Sequence, residues 1–200
     1  MAASTQRRAE TRQRILAAAG ELFREHGIDA TGVDAVMKQA GLTHGGFYLH
    51  FASKEALAAE VSECLLQAAA DRWQAISRSA DRDAALETIV WRYLDAEHVG
   101  RDHGCPLTTL GPDVARRAGS RAAILGALRG MVDALTRCLP GRKRQRALAS
   151  LSTMVGAVVL ARLTDDPELS QAFLEAAADS ILPAGRTVNR LGSLIEREAG

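Results

Sequence analysis

Apolar positions in the first quarter of the chain recur with a helical period and break off at glycines. Ile15, Ala18, Ala19, Leu22 and Phe23 follow the i, i+3, i+4, i+7, i+8 spacing of an amphipathic helix over residues 5–26, which Gly27 ends. Val33, Val36, Met37 and Ala40 give a second, shorter helix one apolar side. Thr31 opens it, with Asp34 at the offset of a capping box, and Gly41 stops it. Thr43 caps a third helix, and Ser53 caps a long fourth one, KEALAAEVSECLLQAAADRWQAI. Two short helices joined by a glycine-containing turn, behind a long first helix, make the helix-turn-helix layout.

The pattern stays helical further on. Asp81 caps a helix with Leu86, Ile89, Val90, Tyr93 and Leu94 on one face. After the loop HVGRDHGC, Pro106 occupies a first helical position, and residues 121–139 form a helix closed by Pro140–Gly141. Residues 142–163 and 168–182 read as two more helices divided by TDDP, and 186–198 as a weakly amphipathic last one. Neither strand alternation nor an internal repeat is visible. The expected fold class is all-α: an N-terminal three-helix domain, 1–52, and a larger helical C-terminal domain, 53–200, with the fourth helix crossing the boundary.

Composition supports this picture and narrows it. Of 200 residues, 47% are hydrophobic, enough for a sizeable core, and alanine, leucine and arginine outweigh the β-branched and aromatic types that favour sheet. The net charge of +1 advertises no polyanionic partner, so any nucleic-acid role must rest on a local basic patch. MAASTQRRAETRQR at the start of the chain supplies one, with four arginines against one glutamate. Cys64, Cys105 and Cys138 have no metal-finger spacing and fit a reducing compartment. No signal-peptide pattern follows the N-terminal arginines. The most apolar stretch, MVGAVVLARL at 154–163, is short for a membrane span and carries Arg162. A soluble cytoplasmic chain without a membrane partner is expected.

Residues 43–51, THGGFYLHF, raise the question of function. Paired glycines beside so many rings suit neither a helix interior nor an ordinary turn. As the start of a recognition helix they make sense: bare backbone lets the helix approach base edges in a DNA major groove. Thr43 and His44 can hydrogen-bond to bases or phosphates, and Tyr48, His50 and Lys54 to phosphates, while Phe47 and Phe51 pack inward. Free amides near the helix starts at Thr31 and Ser53 can take phosphates too.

The stretch from Thr11 to Leu57 resembles the DNA-binding domain of the TetR family of bacterial repressors. Phe23 and Gly27 match the family's Phe-x-x-x-Gly, Thr31 the threonine that opens its second helix, and Tyr48, His50, Phe51, Ser53, Lys54 and Glu55 the end of its recognition segment. The resemblance implies phosphate contacts by Tyr48 and Lys54 and base contacts by Thr43, His44, Gly45 and Gly46. Many members carry lysine at the position of His44. Histidine is mostly neutral at cytoplasmic pH, so the contact is either weaker or reads a different base. The plain alternative is a packed three-helix unit with no DNA role.

The resemblance further implies an all-helical ligand-binding and dimerisation region after the DNA-binding domain. A symmetric dimer would set two recognition helices on the two half-sites of a palindromic double-stranded operator. The best interface candidates are Leu151, Val155, Val158 and Val159 on one helix and Phe173, Leu174, Ala177 and Ile181 on the next, which with their symmetry mates would form a four-helix contact. Leu148 and Leu169 lie along the same sides, and Gly156 and Ala157 would permit close approach. Trp73, Trp91, Tyr93, Met131 and Met154 are candidates to line an apolar effector cavity, although for each one alone core packing is the commoner role.

In the loop VGRDHGCPL, Cys105 is the expected N-cap before Pro106, where a helix dipole lowers a thiol's pKa, with Arg101 and His103 close in sequence. Gly104–Leu107 is similar to a segment of some oxidant- or electrophile-sensing TetR-type regulators; the bland reading is a small buried residue. Cys64 and Cys138, with apolar neighbours, read as structural. His98, Asp102, His103 and Cys105 match no standard metal site, so neither metal nor other cofactor is expected. The leading expectation is a dimeric transcription regulator and not an enzyme: a repressor released by a small molecule, or by an electrophile acting on Cys105. The alternatives are a Cys/His-dependent enzyme using Cys105 with His98 or His103, or a helical ligand-binding protein that does not bind DNA.

Overall fold

The computed structural model describes residues 2–95, 99, 105–117 and 121–183. His98, Arg101, Asp102, His103 and the last expected helix, 186–198, lie outside the described residues. Among the described residues every regular element is helical. In chain order they are α1 (Ala2–His26), α2 (Val33–Gln39), a 3-10 turn (His44–Leu49), α3 (Lys54–Ile76), α4 (Arg82–Tyr93), α5 (Pro106–Thr109), α6 (Gly111–Arg116), α7 (Arg121–Cys138), a short 3-10 turn (Pro140–Arg142), α8 (Arg144–Leu163) and α9 (Pro167–Ile181).

Most starts and stops follow local chemistry. Gly27 ends α1 at φ +82°, a backbone conformation that favours glycine. Gly41 does the same after α2 at φ +67°. The Ser53 hydroxyl accepts from the Ala56 amide at 3.1 Å, Asp81 accepts from Ala84 at 2.9 Å, and Asp166 accepts from Glu168 and Leu169.

Two expectations about ends are corrected. Thr31 does not cap α2: Gly32 occupies the N-cap without a side-chain bond, and Thr31 is 3% exposed. Its hydroxyl turns back to donate to the carbonyls of Gly27 and Leu22, at 2.8 and 3.3 Å, and so ties the end of α1 to the turn. The third helix is a six-residue 3-10 segment and not an α-helix. With Gly45 and Gly46 in its first turn, α-helical propensity is low and the tighter i→i+3 winding suffices over so short a run.

The chain falls into two compact units, residues 1–72 with 100–130, and residues 73–99 with 131–200. In the first, Ile15, Ala19 and Phe23 of α1, Met37 of α2, Phe47 and Leu57 form a buried cluster that Leu110 and Val114 complete. Burial of each large apolar side chain contributes about 1.5–3 kcal/mol against leaving it in water. The helix-turn-helix core therefore includes two residues from far along the chain. Polar contacts fix the same join. The Asp113 carboxylate accepts from the Ile28 amide at 3.0 Å, and Arg117 pairs with Asp29.

In the second unit, α8 packs along α9, and α9 also touches α4. Ser170 donates to the Ala161 carbonyl at 3.1 Å across the α8–α9 pair. Trp73 and Tyr93 are buried edge to face, ring centroids 5.4 Å apart. The 154–163 stretch lies inside the longer α8, whose 20 residues are long and apolar enough to cross a membrane by length and composition alone; the expectation of insufficient length is corrected. Ala147, Leu151, Met154, Val158 and Ala161 give α8 a buried stripe, as a core helix would have.

A candidate nucleic-acid interface

The 3-10 turn is a raised edge over an apolar base. Phe47 is fully buried and Phe51 nearly so, their rings stacked with centroids 5.8 Å apart. This anchoring turns the intervening residues outward: Thr43, His44, Gly45 and Tyr48 are exposed, Tyr48 to 64%. A Cβ built on Gly45 would meet nothing within 4 Å, whereas one on Gly46 would touch Met37 at 3.7 Å. Gly45 thus leaves open surface, and Gly46 sits close over α2. Thr43 holds the N-cap position but makes no side-chain cap bond.

His44 is not isolated. Its Nδ1 meets the carboxylate of Asp34 on α2, and its ring lies edge-on to Tyr48 with centroids 6.2 Å apart. Asp34, expected as a capping partner for Thr31, faces this turn instead. The exposed acidic partner is one that sequence reasoning missed. The only signal was its position at the start of a helix preceding the turn.

Lys54 at the start of α3 is half-buried, and its Nζ donates to the Asp29 carbonyl at 3.1 Å. His50 is also half-buried, and its Nδ1 has no hydrogen-bond partner. Burial, and then the positive charges of Arg8 and Arg12, hold its imidazole below the usual histidine range, so the ring is neutral at neutral pH. Arg7, Arg8, Thr11, Leu49 and His50 line an open cleft of about 350 Å³. Arg8 donates to the Leu49 carbonyl at 2.7 Å, and Arg7 is exposed. The arginine-rich start of the chain therefore lies beside the turn, which composition had flagged only as a local patch. Thr31 is removed from the side chains able to touch DNA, because it is buried and bonded inward.

The other expected site residues divide between the two units. Cys105 belongs to the first. It does occupy the N-cap position before Pro106, but its side chain makes no cap bond, and it is 1% exposed. The helix behind it has four residues. Its carbonyl accepts from the hydroxyls of Thr108 and Thr109, both at 3.0 Å. Cys138 is buried, and burial pushes its thiol up, whereas Cys64 is exposed and is not the structural core residue expected. Met131, Met154, Trp73 and Tyr93 are buried in the second unit, and Trp91 is half-buried.

Of the expected dimer residues, Leu151, Val158, Leu174, Ala177 and Ile181 are buried within the protomer and cannot face a partner without opening the core. Val155 and Phe173 are half-buried and Val159 exposed. The exposed apolar side chains beside them are Leu148, Leu160, Leu163 and Leu169. The buried five were chosen from the helical period, which marks an apolar stripe but does not say which of two apolar neighbours covers it.

Comparison with known proteins agrees with this geometry. The family described as "Bacterial regulatory proteins, tetR family" matches residues 15–61. The chain is 43% identical over 54 residues to an uncharacterized HTH-type transcriptional regulator, YvdT, of Bacillus subtilis, a stretch covering 27% of this chain and 28% of that protein. It is 42% identical over 64 residues to the HTH-type transcriptional regulator AcrR of Shigella flexneri, covering 32% and 30%. Over 176 residues it is 27% identical to the A-factor receptor protein of Streptomyces griseus, covering 83% of this chain and 57% of that one. The chain thus spans less than two thirds of these relatives' lengths. Among solved structures, the reduced form of NemR from E. coli matches with a TM-score of 0.75 at 23% identity, over 88% of this chain and 99% of that chain. A TetR-family regulator from Agrobacterium tumefaciens matches with a TM-score of 0.73 at 17% identity, over 88% and 100%. At these identities the structures establish the fold.

Proposed function

Because the chain belongs to the TetR family of bacterial regulatory proteins, we propose that it is a dimeric, cytoplasmic transcription regulator, a repressor that leaves its operator when a small molecule binds. Residues 1–52 do the DNA binding and residues 53–200 the sensing and dimerisation. The observation that carries this reading is the turn itself. Thr43, His44, Gly45 and Tyr48 stand exposed over a buried Phe47 and Phe51, with Arg7 and Arg8 alongside. Exposed residues that can bond bases, a bare backbone position and flanking cations are what a groove-reading turn requires.

Thr43, His44 and Gly45 face bases. Tyr48, Lys54 and Arg7 hold phosphates, Gly46 keeps α2 close behind the turn, and neutral His50 offers a ring nitrogen without adding charge. Dimerisation uses the exposed faces of α8 and α9, where Leu148, Val159, Leu163 and Leu169 take the place of the buried residues chosen from periodicity. The effector enters among Trp91, Tyr93, Met131 and Met154. Its binding favours a dimer whose turns no longer fit two half-sites, a coupling that DNA must return by weakening effector binding equally. Burial of Cys105 favours this route over direct thiol modification, because a thiol without solvent access meets electrophiles slowly. The exposed turn with Arg7 and Arg8 beside it supports a regulator over a Cys/His enzyme.

Selection of duplexes from a random pool by the purified protein tests the proposal. It predicts enrichment of an inverted repeat with half-sites about one helical turn apart or a multiple of it. A pool that stays random would reject it.

A further inference from the structure

The Asp34–His44 contact lies on the surface read above as a DNA interface, and the inference drawn from it rests on that reading. Asp34 is 84% exposed at its side chain, in the first turn of α2. A carboxylate there is repelled by phosphates and is out of place on a surface that meets a polyanion. Among the described residues its side chain meets one partner, the Nδ1 of His44, itself half exposed. An ionised carboxylate only accepts hydrogen bonds, so the hydrogen in this contact sits on Nδ1. In a neutral ring that leaves Nε2 as an acceptor. The edge of Tyr48 borders the ring on another side and limits its rotation.

We propose that Asp34 is a positioning residue for base recognition: it fixes the tautomer and orientation of His44, so that Nε2 is presented to DNA as a hydrogen-bond acceptor. The bases that answer an acceptor in the major groove are those with an exocyclic amino group, cytosine through N4 or adenine through N6. Lysine at this position would only donate and would read guanine or thymine oxygen. The pair thus inverts the polarity of the contact, which accounts for an acidic residue on this face.

Two readouts test it. Nitrogen-15 spectra of the free protein, at a pH where the ring is neutral, should place the His44 proton on Nδ1; in Asp34→Ala it should move to Nε2, and in Asp34→Asn, whose carbonyl still accepts, it should stay. Duplex selection should give one preferred base pair at a position of each half-site with the wild type and with Asp34→Asn, and replacing the amino-bearing base of that pair by an analogue that lacks only the amino group should abolish the preference. Asp34→Ala should lose about tenfold in discrimination at that position alone. A preference that survives loss of the amino group, an Nε2 proton in the wild type, or unchanged discrimination in Asp34→Ala would overturn the inference while leaving DNA binding in place. A wild-type protein that enriches no duplex would overturn both. Asp34 is exposed, so the variants should melt with the wild type, and a shared melting temperature confirms that the comparison is of readout and not of folding.

Discussion

Arg12 and Glu60 meet as a two-pronged ion pair, each terminal guanidinium nitrogen donating to one carboxylate oxygen, and the same guanidinium sits 4.5 Å from the centroid of the Phe51 ring. One side chain of α1 therefore ties down α3 and the aromatic residue that follows the 3-10 turn. The bond to Glu60 raises the Arg12 pKa, so the guanidinium stays charged throughout the physiological range. Both side chains are about one-third exposed, which discounts the pairing energy. Glu60→Gln or Arg12→Lys should cost about 1 kcal/mol, since each loses the planar two-pronged geometry. Urea unfolding of the three proteins checks this; equal midpoints would mean that water serves the pair as well.

Two glycines separate folding from function. Gly41 lies at φ +67°, and a Cβ there would come within 3.1 Å of an Arg14 guanidinium nitrogen, so Gly41→Ala should destabilise by about 1–2 kcal/mol. Gly45 has ordinary φ and open space around it, so Gly45→Ala should melt like the wild type yet bind DNA more weakly, because its methyl faces the bases. Melting curves and binding titrations on both variants read the two effects independently. Unchanged DNA affinity in Gly45→Ala would remove that backbone from the interface.

Much of this was legible in the chain. Ile15, Phe23 and Met37 announce their helices by period, and Gly27, Gly41, Ser53 and Asp81 mark the ends by chemistry that acts within a few residues. What the sequence hid depends on distant neighbours. Thr31 looks like a cap, but the carbonyls of Leu22 and Gly27 compete for its hydroxyl. Asp34 has the spacing of a capping box, yet Gly32 takes the cap and leaves it free to meet His44. Leu151, Val158, Leu174, Ala177 and Ile181 carry the right period for an interface, and the protomer's own packing covers them. Cys105 sits at the expected cap, but its burial was not readable from spacing.

Stability should fall on mild acidification through His50. Burial and the nearby Arg8 and Arg12 lower its pKa in the folded protein. The unfolded chain, with an ordinary value of about 6.5, takes up the proton first. The contribution of His50 is thus complete above about pH 6.5 and is lost as pH drops through the folded-state value. His50→Gln should flatten the dependence of the melting temperature on pH as it falls below about 6.5. An unchanged slope would assign the acid sensitivity to other groups.

The revised dimer face makes its own prediction. Val159 is exposed on α8, and Leu163, at 77% exposure near its end, is the most open large apolar side chain described. Val159→Asp or Leu163→Asp would put a charge into an apolar contact and should turn dimers into monomers at micromolar concentration, with helix content retained. Sedimentation equilibrium distinguishes the two states. A variant that remains dimeric would place the interface elsewhere.

The central claim is that the exposed turn from Thr43 to Tyr48 reads duplex DNA. Its most direct test is a competition titration at fixed salt between an enriched palindromic duplex and its scrambled counterpart. A preference of about 10³-fold or more for the palindrome, lost in Gly45→Ala while that variant still folds, is the predicted result. Equal affinity for the two duplexes would contradict it.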